Sequence, residues 1–169
     1  MKITNENNMI ITNADITDVH IVSEVLIEAA KWLDSIGQSM WKEENITVAE
    51  LLKRYQPEEM KLCYEKDQLI GVYVLQWYDP LFWGDLKYKE AGILHKLAVC
   101  RDYAGMGYGR KMIESAVQLC KEHGVGTLRL NCGTFRNRLR NFYESCGFEL
   151  VDRVYIDDRD QCRYIKNIQ

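Results

Sequence analysis

Residues 93–148 decide the fold, and they read ILHKLAVCRDYAGMGYGRKMIESAVQLCKEHGVGTLRLNCGTFRNRLRNFYESCGF. A strand pattern (ILHKLAV) leads through a glycine-rich turn at 104–109 (AGMGYG) into the pattern of an amphipathic helix. A glycine turn that opens a helix leaves several backbone N–H groups unpaired and pointing at one spot, where the helix dipole also favours negative charge. We therefore expect this turn to hold a pyrophosphate group.

Two other nucleotide-binding loops do not match this turn. The dinucleotide fingerprint G-x-G-x-x-G needs a glycine three residues beyond Gly109, where the chain has Met112. A P-loop needs Gly-Lys-Ser/Thr, whereas Gly109 is followed by Arg110 and Lys111. A tight turn without a ligand is the remaining alternative. Three glycines at alternate positions directly before an amphipathic helix argue against it.

Length and composition narrow the class of protein. The chain has 169 residues, of which 47% are hydrophobic and 28% charged, which is typical of one globular domain over residues 1–169. No apolar run approaches the ~20 residues of a spanning helix, and the first residues have no signal-like apolar core, so we expect a cytoplasmic protein without a membrane partner. The net charge of −3 makes nucleic acid an unexpected partner, although a local patch at Arg136, Arg138 and Arg140 stays open.

Cysteine and histidine spacing gives no sign of a metal centre or a disulfide framework. The six cysteines are dispersed without a C-x-x-C pair, and the three histidines lack zinc-ligand spacing. We therefore expect mostly reduced, packed thiols and no metal.

The apolar periodicity predicts elements in the order β-α-α-β-β-β-α-β-α-β-β. Helical spacing runs through residues 15–37 and 48–55, and strand patterns at 61–65 and 69–77 predict a hairpin. Residues 78–89 are rich in Trp, Phe, Tyr and Asp without a clear period, which favours a loop that folds over something. This order predicts an α/β fold in which helices pack on a mixed sheet.

The segments together resemble the GNAT family of N-acetyltransferases. AGMGYG resembles the family's Q/R-x-x-G-x-G/A loop, with Gly107 and Gly109 at the glycine positions and Ala104 in place of Gln or Arg. LHKLAV, RLNC and NFYESCGF resemble the family's fourth strand, fifth strand and following helix, in the same order. The resemblance implies a mixed, mostly antiparallel central sheet with helices on both faces, N-acetyltransferase activity, and acetyl-coenzyme A as the cofactor.

By this resemblance, the coenzyme is held mostly by backbone groups. The pantetheine arm lies along the fourth strand, and the diphosphate lies in the glycine turn. An asparagine that contacts the coenzyme in the family aligns without a gap with Arg136 and, one residue further, with Asn137. The strand and turn residues implied are Leu97, Ala98, Val99, Ala104, Gly105, Met106, Gly107, Tyr108, Gly109 and Arg110.

Two residues carry the proton chemistry that the resemblance implies. Tyr143 matches a tyrosine that acts as general acid near the coenzyme sulfur, although it also lies on an apolar helical stripe, so a packing role stays open. Many relatives place a glutamate base where this chain has Ile93. His95 lies two residues on, hence on the same strand face if the pleat is regular, and LHKLAV resembles the LH-x-LAV of serotonin N-acetyltransferase, whose histidine helps carry protons through water. A histidine with a purely structural role is the alternative.

The acceptor is expected beside aromatic residues in segments that border the acceptor pocket in the family. Aromatic walls with nearby carboxylates suit a cationic amine. We expect a small-molecule primary amine, while the identity of the acceptor and the oligomeric state stay open, a homodimer being one option. A non-catalytic acyl-CoA-binding regulatory module is the alternative, which Ile93 favours. The aromatic candidates are Trp41, Tyr78 and Trp83, and the carboxylates are Asp79, Asp85 and Glu90.

Overall fold

The structure, a computed structural model, describes residues 3–4 and 8–169. The chain divides into a first unit of Met1–Leu75 and Lys96–Met112 and a second unit of Gln76–His95 and Ile113–Gln169. The expectation of one domain over the whole chain stays a prediction, and the two units are described in turn.

The first unit contains an antiparallel meander in the order β1 (Ile3–Thr4), β2 (Ile10–Asn13), β3 (Met60–Glu65) and β4 (Gln68–Gln76). The β3–β4 hairpin turns at Lys66 and Asp67, with φ angles of 48° and 62°. Two consecutive left-handed residues match the twist of a two-residue hairpin, which is why the predicted hairpin forms here.

Two helices pack on the core of this unit, α1 (Val19–Ser35) and α2 (Val48–Arg54). The apolar stripe of α1, including Val22 and Leu26, is buried in one cluster with Leu62 and Val72 of the sheet. The hydroxyl of Ser23 donates to Ile46 O at 2.7 Å and so ties α1 to the segment before α2. The apolar positions that form the helical pattern in the sequence are therefore the positions that α1 buries.

The second unit is organised by β6 (Thr127–Gly133), β7 (Glu149–Ile156) and β8 (Arg159–Asn167). The strand β5 (Gly92–Val99) begins in this unit and pairs in parallel with β6, at Gly92 with Leu128 and at Ile93 with Arg129. β8 pairs antiparallel with both β6 and β7, so the order is β5-β6-β8-β7. One parallel pair among antiparallel ones makes the sheet mixed.

Two further helices follow β5 along the chain, α3 (Tyr108–Glu122) and α4 (Asn137–Ser145). The predicted fold class, a mixed and mostly antiparallel sheet with helices, is confirmed, as is the order of the predicted elements. The strand β1 and three short 3-10 turns were not predicted, because two or three residues carry no periodicity.

All six cysteines are free thiols, and five of them are buried, as expected for packed cysteines. Burial raises the pKa of Cys120 and of Cys132 to about 12. These two thiols therefore stay protonated near neutral pH. Among the described residues, no helix has both the length and the apolar character that crossing a bilayer requires.

Candidate active site

The strand β5 contains a break at Lys96, whose φ is +52°. A left-handed backbone is uncommon for lysine and interrupts the alternation of side chains along a strand. Ile93 and His95 both precede the break. The break therefore does not disturb the alternation that is expected to place their side chains on the same face of the strand. Leu97, Ala98 and Val99 follow the break, and no pattern in the sequence indicated it.

Gly71 of β4 allows the close approach of the end of β5 and the start of α3. A Cβ atom at this position would lie 2.5 Å from the carbonyl oxygen of Ala98 and 3.0 Å from the Met112 side chain. The amide of Cys100 donates to Ile70 O at 2.8 Å, which fixes the same end of β5 against β4. A glycine is thus required where the predicted pantetheine-binding segment lies.

The glycine turn has an open, left-handed backbone. Gly105 and Gly107 have φ angles of 74° and 83°, and a Cβ at either would meet no atom within 4 Å. Met106 between them is 60% exposed. The helix α3 begins at Tyr108, so Gly109 lies in its first turn rather than in the preceding loop.

The start of α3 presents backbone donors. The first N–H to donate along the helix is that of Lys111, to Gly107 O at 3.4 Å. The amides of Tyr108 and Gly109 come before it and have no acceptor within the helix. Together with the positive end of the helix dipole, they favour an anion at the exposed turn.

Tyr108 anchors the start of α3 to the β3–β4 hairpin. Its hydroxyl donates to the carboxylate of Glu65, and Lys111 Nζ lies 3.6 Å from the same carboxylate. The Tyr108 hydrogen bond lowers the pKa of Glu65, and Glu65 in turn raises the pKa of Tyr108. The ring of Tyr108 also meets Tyr103 edge-on at 5.8 Å. These contacts therefore hold the start of α3 in place.

Two tryptophans of the first unit face cations. The guanidinium carbon of Arg101 lies 3.6 Å from the ring centroid of Trp32, and Lys96 Nζ lies 5.4 Å from that of Trp41. Both indoles are half-buried. Trp41, a predicted acceptor contact, already has a cationic neighbour.

In the second unit, residues 77–90 form a closed loop that we call the Trp83 loop. The amide of Lys89 donates to Trp77 O at 2.9 Å and closes it. Near its start, Asp79 Oδ1 accepts from the amides of Leu81 and Phe82 at 3.0 and 3.2 Å. Tyr78, a predicted acceptor contact, is 48% exposed.

Trp83 packs against two arginines. The side chain is 1% exposed, and the guanidinium carbons of Arg129 and Arg163 lie 5.0 and 4.7 Å from its ring centroid. Arg163 is held by two hydrogen bonds to Asp152, at 2.7 and 2.6 Å, which raise its pKa, and it donates to Phe82 O. The sequence did not indicate this arrangement, although the polar residues at alternate positions of β6 were a usable sign. A contact of Trp83 with the acceptor stays a prediction.

His95 and Asp79 form a pair that the sequence did not predict. His95 Nε2 lies 3.7 Å from Asp79 Oδ2, and the side chains are only 17% and 8% exposed. Asp79 Oδ2 is buried and has no hydrogen-bond partner among residues 3–4 and 8–169. The Trp83 loop thus places a buried carboxylate beside the candidate base.

Tyr143 lies on the buried side of α4. Its ring packs against Phe148 at 5.8 Å and Phe142 at 5.5 Å, and burial raises the pKa of its phenol. Of the two candidates for coenzyme contact, Arg136 is half-buried just before α4 and Asn137 is exposed at its first position. Burial lowers the pKa of Arg136.

Comparison with protein families gives a match over most of the chain. The model of the acetyltransferase (GNAT) family matches residues 26–148, most of the chain. Among curated proteins, the chain is similar to the uncharacterized N-acetyltransferase YesJ of Bacillus subtilis (strain 168). The two are 26% identical over an alignment of 148 positions, and the match covers 79% of this chain and 78% of the relative.

Solved structures give the same fold. An acetyltransferase of the GNAT family from Listeria monocytogenes 4b F2365 has a TM-score of 0.79 and 25% identity, covering 99% of each chain. The PaiA N-acetyltransferase of Thermoplasma acidophilum, solved in complex with coenzyme A, has a TM-score of 0.67 and 18% identity over 94% of this chain and 98% of its own.

Proposed function

Because the chain belongs to the acetyltransferase (GNAT) family, we propose that it transfers an acetyl group to a primary amine of a small molecule, by direct attack of the amine on the thioester. The protein is an acetyltransferase, and acetyl-coenzyme A is its cosubstrate. The acceptor class and the roles of individual residues are what we infer.

The observation that carries the proposal is the open glycine turn at the start of α3. Its left-handed glycines leave space where side chains would otherwise stand, and its helix start offers amide donors. Such a turn fits a diphosphate without any particular side chain, so Ala104 in place of Gln or Arg is tolerated. We infer that the backbone from Ala104 to Arg110 holds the diphosphate.

The end of β5 is the candidate pantetheine-binding segment. We infer that backbone groups of Leu97, Ala98 and Val99 orient the arm, because this segment is fixed by Gly71 and by the hydrogen bond from Cys100. Arg136 and Asn137 at the start of α4 remain the candidates for a further contact.

His95 and Tyr143 are the proposed proton carriers. When bound, acetyl-coenzyme A supplies the acetyl thioester whose C–S bond breaks as the new C–N bond forms. An alkyl amine with a pKa of about 10 must lose a proton to attack, and we assign that proton to His95. Tyr143 would protonate the departing thiolate, and its raised pKa keeps the phenol protonated until then.

The acceptor is proposed to be a small cationic amine. Tyr78 is exposed, and the Trp83 loop carries the carboxylates Asp79, Asp85 and Glu90. Aromatic and acidic groups together attract an ammonium group. An antibiotic, a polyamine or an amino acid fits this description, and a protein terminus is the alternative outside the small molecules. The cytoplasmic location and the homodimer stay predictions.

One experiment separates the enzyme from a non-catalytic acyl-CoA-binding module. Acetyl-coenzyme A is titrated calorimetrically, and a panel of amines is then screened for release of free thiol. Binding with turnover of at least one small amine supports the proposal. Binding without turnover on any amine class supports the module, and no binding refutes both.

Tyr143→Phe tests the acid role. Removing a general acid typically lowers the rate by about 10²- to 10⁴-fold, while the affinity for coenzyme A should change little because the ring is kept. Tyr155→Phe is the matched control, since Tyr155 is 70% exposed. An unchanged rate in Tyr143→Phe across the pH range would remove Tyr143 from the mechanism.

A further inference from the structure

We propose that Asp79 is a positioning residue for His95, so that the two act as an aspartate–histidine pair when a proton is taken from the acceptor amine. The proposal rests on the proposed function of His95 as the proton acceptor. It adds a residue from the Trp83 loop to the groups that control the reaction.

The two carboxylate oxygens of Asp79 have different tasks. Oδ1 accepts from the amides of Leu81 and Phe82, and the Asp79 carbonyl accepts from Trp83 N at 3.0 Å. These bonds hold the residue in a tight turn at the start of the loop. Oδ2 takes no part in the turn and lies 3.7 Å from His95 Nε2.

The burial of the second oxygen, Asp79 Oδ2, indicates that this atom has a role. A buried carboxylate oxygen without a hydrogen bond is costly, so folded proteins rarely keep one without a reason. Asp79 Oδ2 is such an atom among residues 3–4 and 8–169, and its ion-pair neighbour is the His95 ring. The separation is slightly longer than a direct hydrogen bond, as catalytic pairs often are before substrate binds.

The geometry has a direct consequence for the histidine. A carboxylate beside Nε2 favours the tautomer with its proton on Nε2, because that N–H points toward negative charge. The lone pair then lies on Nδ1, which becomes the atom that accepts a proton. The carboxylate also stabilises the imidazolium cation that forms.

The proton balance is simple. The protonated amine gives one proton to His95, and its free nitrogen then bonds to the acetyl carbon while the C–S bond breaks with its electron pair leaving on sulfur. Tyr143 protonates the thiolate, and the second proton, which the nitrogen loses as the amide forms, restores the Tyr143 phenol. Asp79 neither gains nor loses a proton in this scheme, and the imidazolium later releases its proton to water. No oxidant, metal or further reactant takes part.

Other charges near the Trp83 loop are arranged differently. Asp85 Oδ1 lies 3.8 Å from Arg163, and Glu90 accepts from the amide of Lys87 at 2.7 Å. Arg129 and Arg163 lie against the Trp83 ring. Asp79 is therefore the loop carboxylate that pairs with His95, and Asp85 is a suitable control.

Histidine NMR on the ¹⁵N-labelled full chain tests the pair without needing an acceptor. Long-range ¹H–¹⁵N correlation spectra report the tautomer and the titration midpoint of each histidine, and His95→Gln assigns the His95 signals. We expect the Nε2–H tautomer in the unmodified protein. In Asp79→Asn, we expect the proton to move to Nδ1 and the midpoint to fall by about one pH unit.

Asparagine is chosen because its side-chain oxygen can still accept from Leu81 and Phe82, so the turn is kept. The ring of His123 lies 4.6 Å from that of Trp77, so unchanged His123 signals show that the loop remains folded. Asp85→Asn should leave the His95 tautomer and midpoint as they were. If the His123 signals do change, Asp79→Glu, which keeps the charge, should retain the Nε2–H tautomer.

An Nδ1–H tautomer in the unmodified protein, or a tautomer and midpoint that Asp79→Asn leaves unchanged, would overturn the pair. Where an amine is turned over, Asp79→Asn should lower kcat at neutral pH by about tenfold or more and shift the acidic limb of the pH profile with the NMR midpoint. Absence of any turnover would count against the proposed function, whereas the NMR result decides the pair by itself.

Discussion

Gly71→Ala tests whether the end of β5 is built for the coenzyme. The new Cβ would lie 2.5 Å from the Ala98 carbonyl oxygen, and the Met112 side chain would be 3.0 Å away. The flexible methionine can move aside, but the carbonyl belongs to the backbone. To regain the 3.4 Å of an ordinary contact, Ala98 must shift by about 0.9 Å.

Two effects should follow from this shift. Overpacking of a well-packed interior typically costs about 1–3 kcal/mol, so the free energy of unfolding should fall by that amount in urea titrations. The displaced carbonyl lies in the segment that we assign to the pantetheine arm. The dissociation constant for coenzyme A, measured by calorimetry on the folded variant, should therefore rise by about tenfold, which corresponds to about 1.4 kcal/mol.

Gly126→Ala is the matched control, because a Cβ there would meet nothing within 4 Å. It should change neither stability nor affinity appreciably. If Gly71→Ala loses stability but binds coenzyme A as tightly as the unmodified protein, the packing argument survives while the assignment of Ala98 to the coenzyme site is refuted.

Two further predictions concern the first unit. Tyr108→Phe removes the hydroxyl that donates to Glu65 and should weaken coenzyme A binding several-fold, because the start of α3 is less firmly held; an unchanged dissociation constant would show that this anchor is irrelevant to binding. Burial lowers the pKa of Lys61 from its ordinary value of 10.5 to about 8 in the folded protein. Between these two pH values the unfolded chain therefore binds more protons than the folded one. Stability should therefore rise with pH between those values, by at most about 3 kcal/mol relative to Lys61→Met, and parallel urea-derived stability curves for the two proteins would contradict it.

The fold was largely readable from the sequence because its elements bury one face each. The stripe of α1 and the paired strands of the β3–β4 hairpin repeat at spacings set by backbone geometry, so local pattern and tertiary packing agree. The two-residue strand β1 and the left-handed Lys96 could not be predicted in this way. The strand β1 is too short to show a period. The left-handed backbone at Lys96 is imposed on a residue type that has no preference for that conformation.

The candidate site was likewise predicted from the sequence only in part. The glycine turn was found from residue type alone, because left-handed backbone and open space favour glycine. The pair of Asp79 and His95 was not found, although both residues were singled out separately. Their separation of 3.7 Å depends on how an aperiodic loop closes between Trp77 and Lys89, and no local pattern encodes that closure.

The difference between the glycine turn and the Trp83 loop determines where the residues that select the acceptor should be sought. Backbone amides at a helix start can hold a diphosphate whatever the side chains around them, so the glycine turn says little about the amine. The contacts of the Trp83 loop are made by side chains instead. The Arg163 guanidinium lies over the indole of Trp83, and the Asp79 carboxylate lies 3.7 Å from His95. Exchanging the exposed Tyr78 for alanine should therefore alter the preference among amines while leaving coenzyme A affinity unchanged. A preference that stays constant would place acceptor recognition outside this loop.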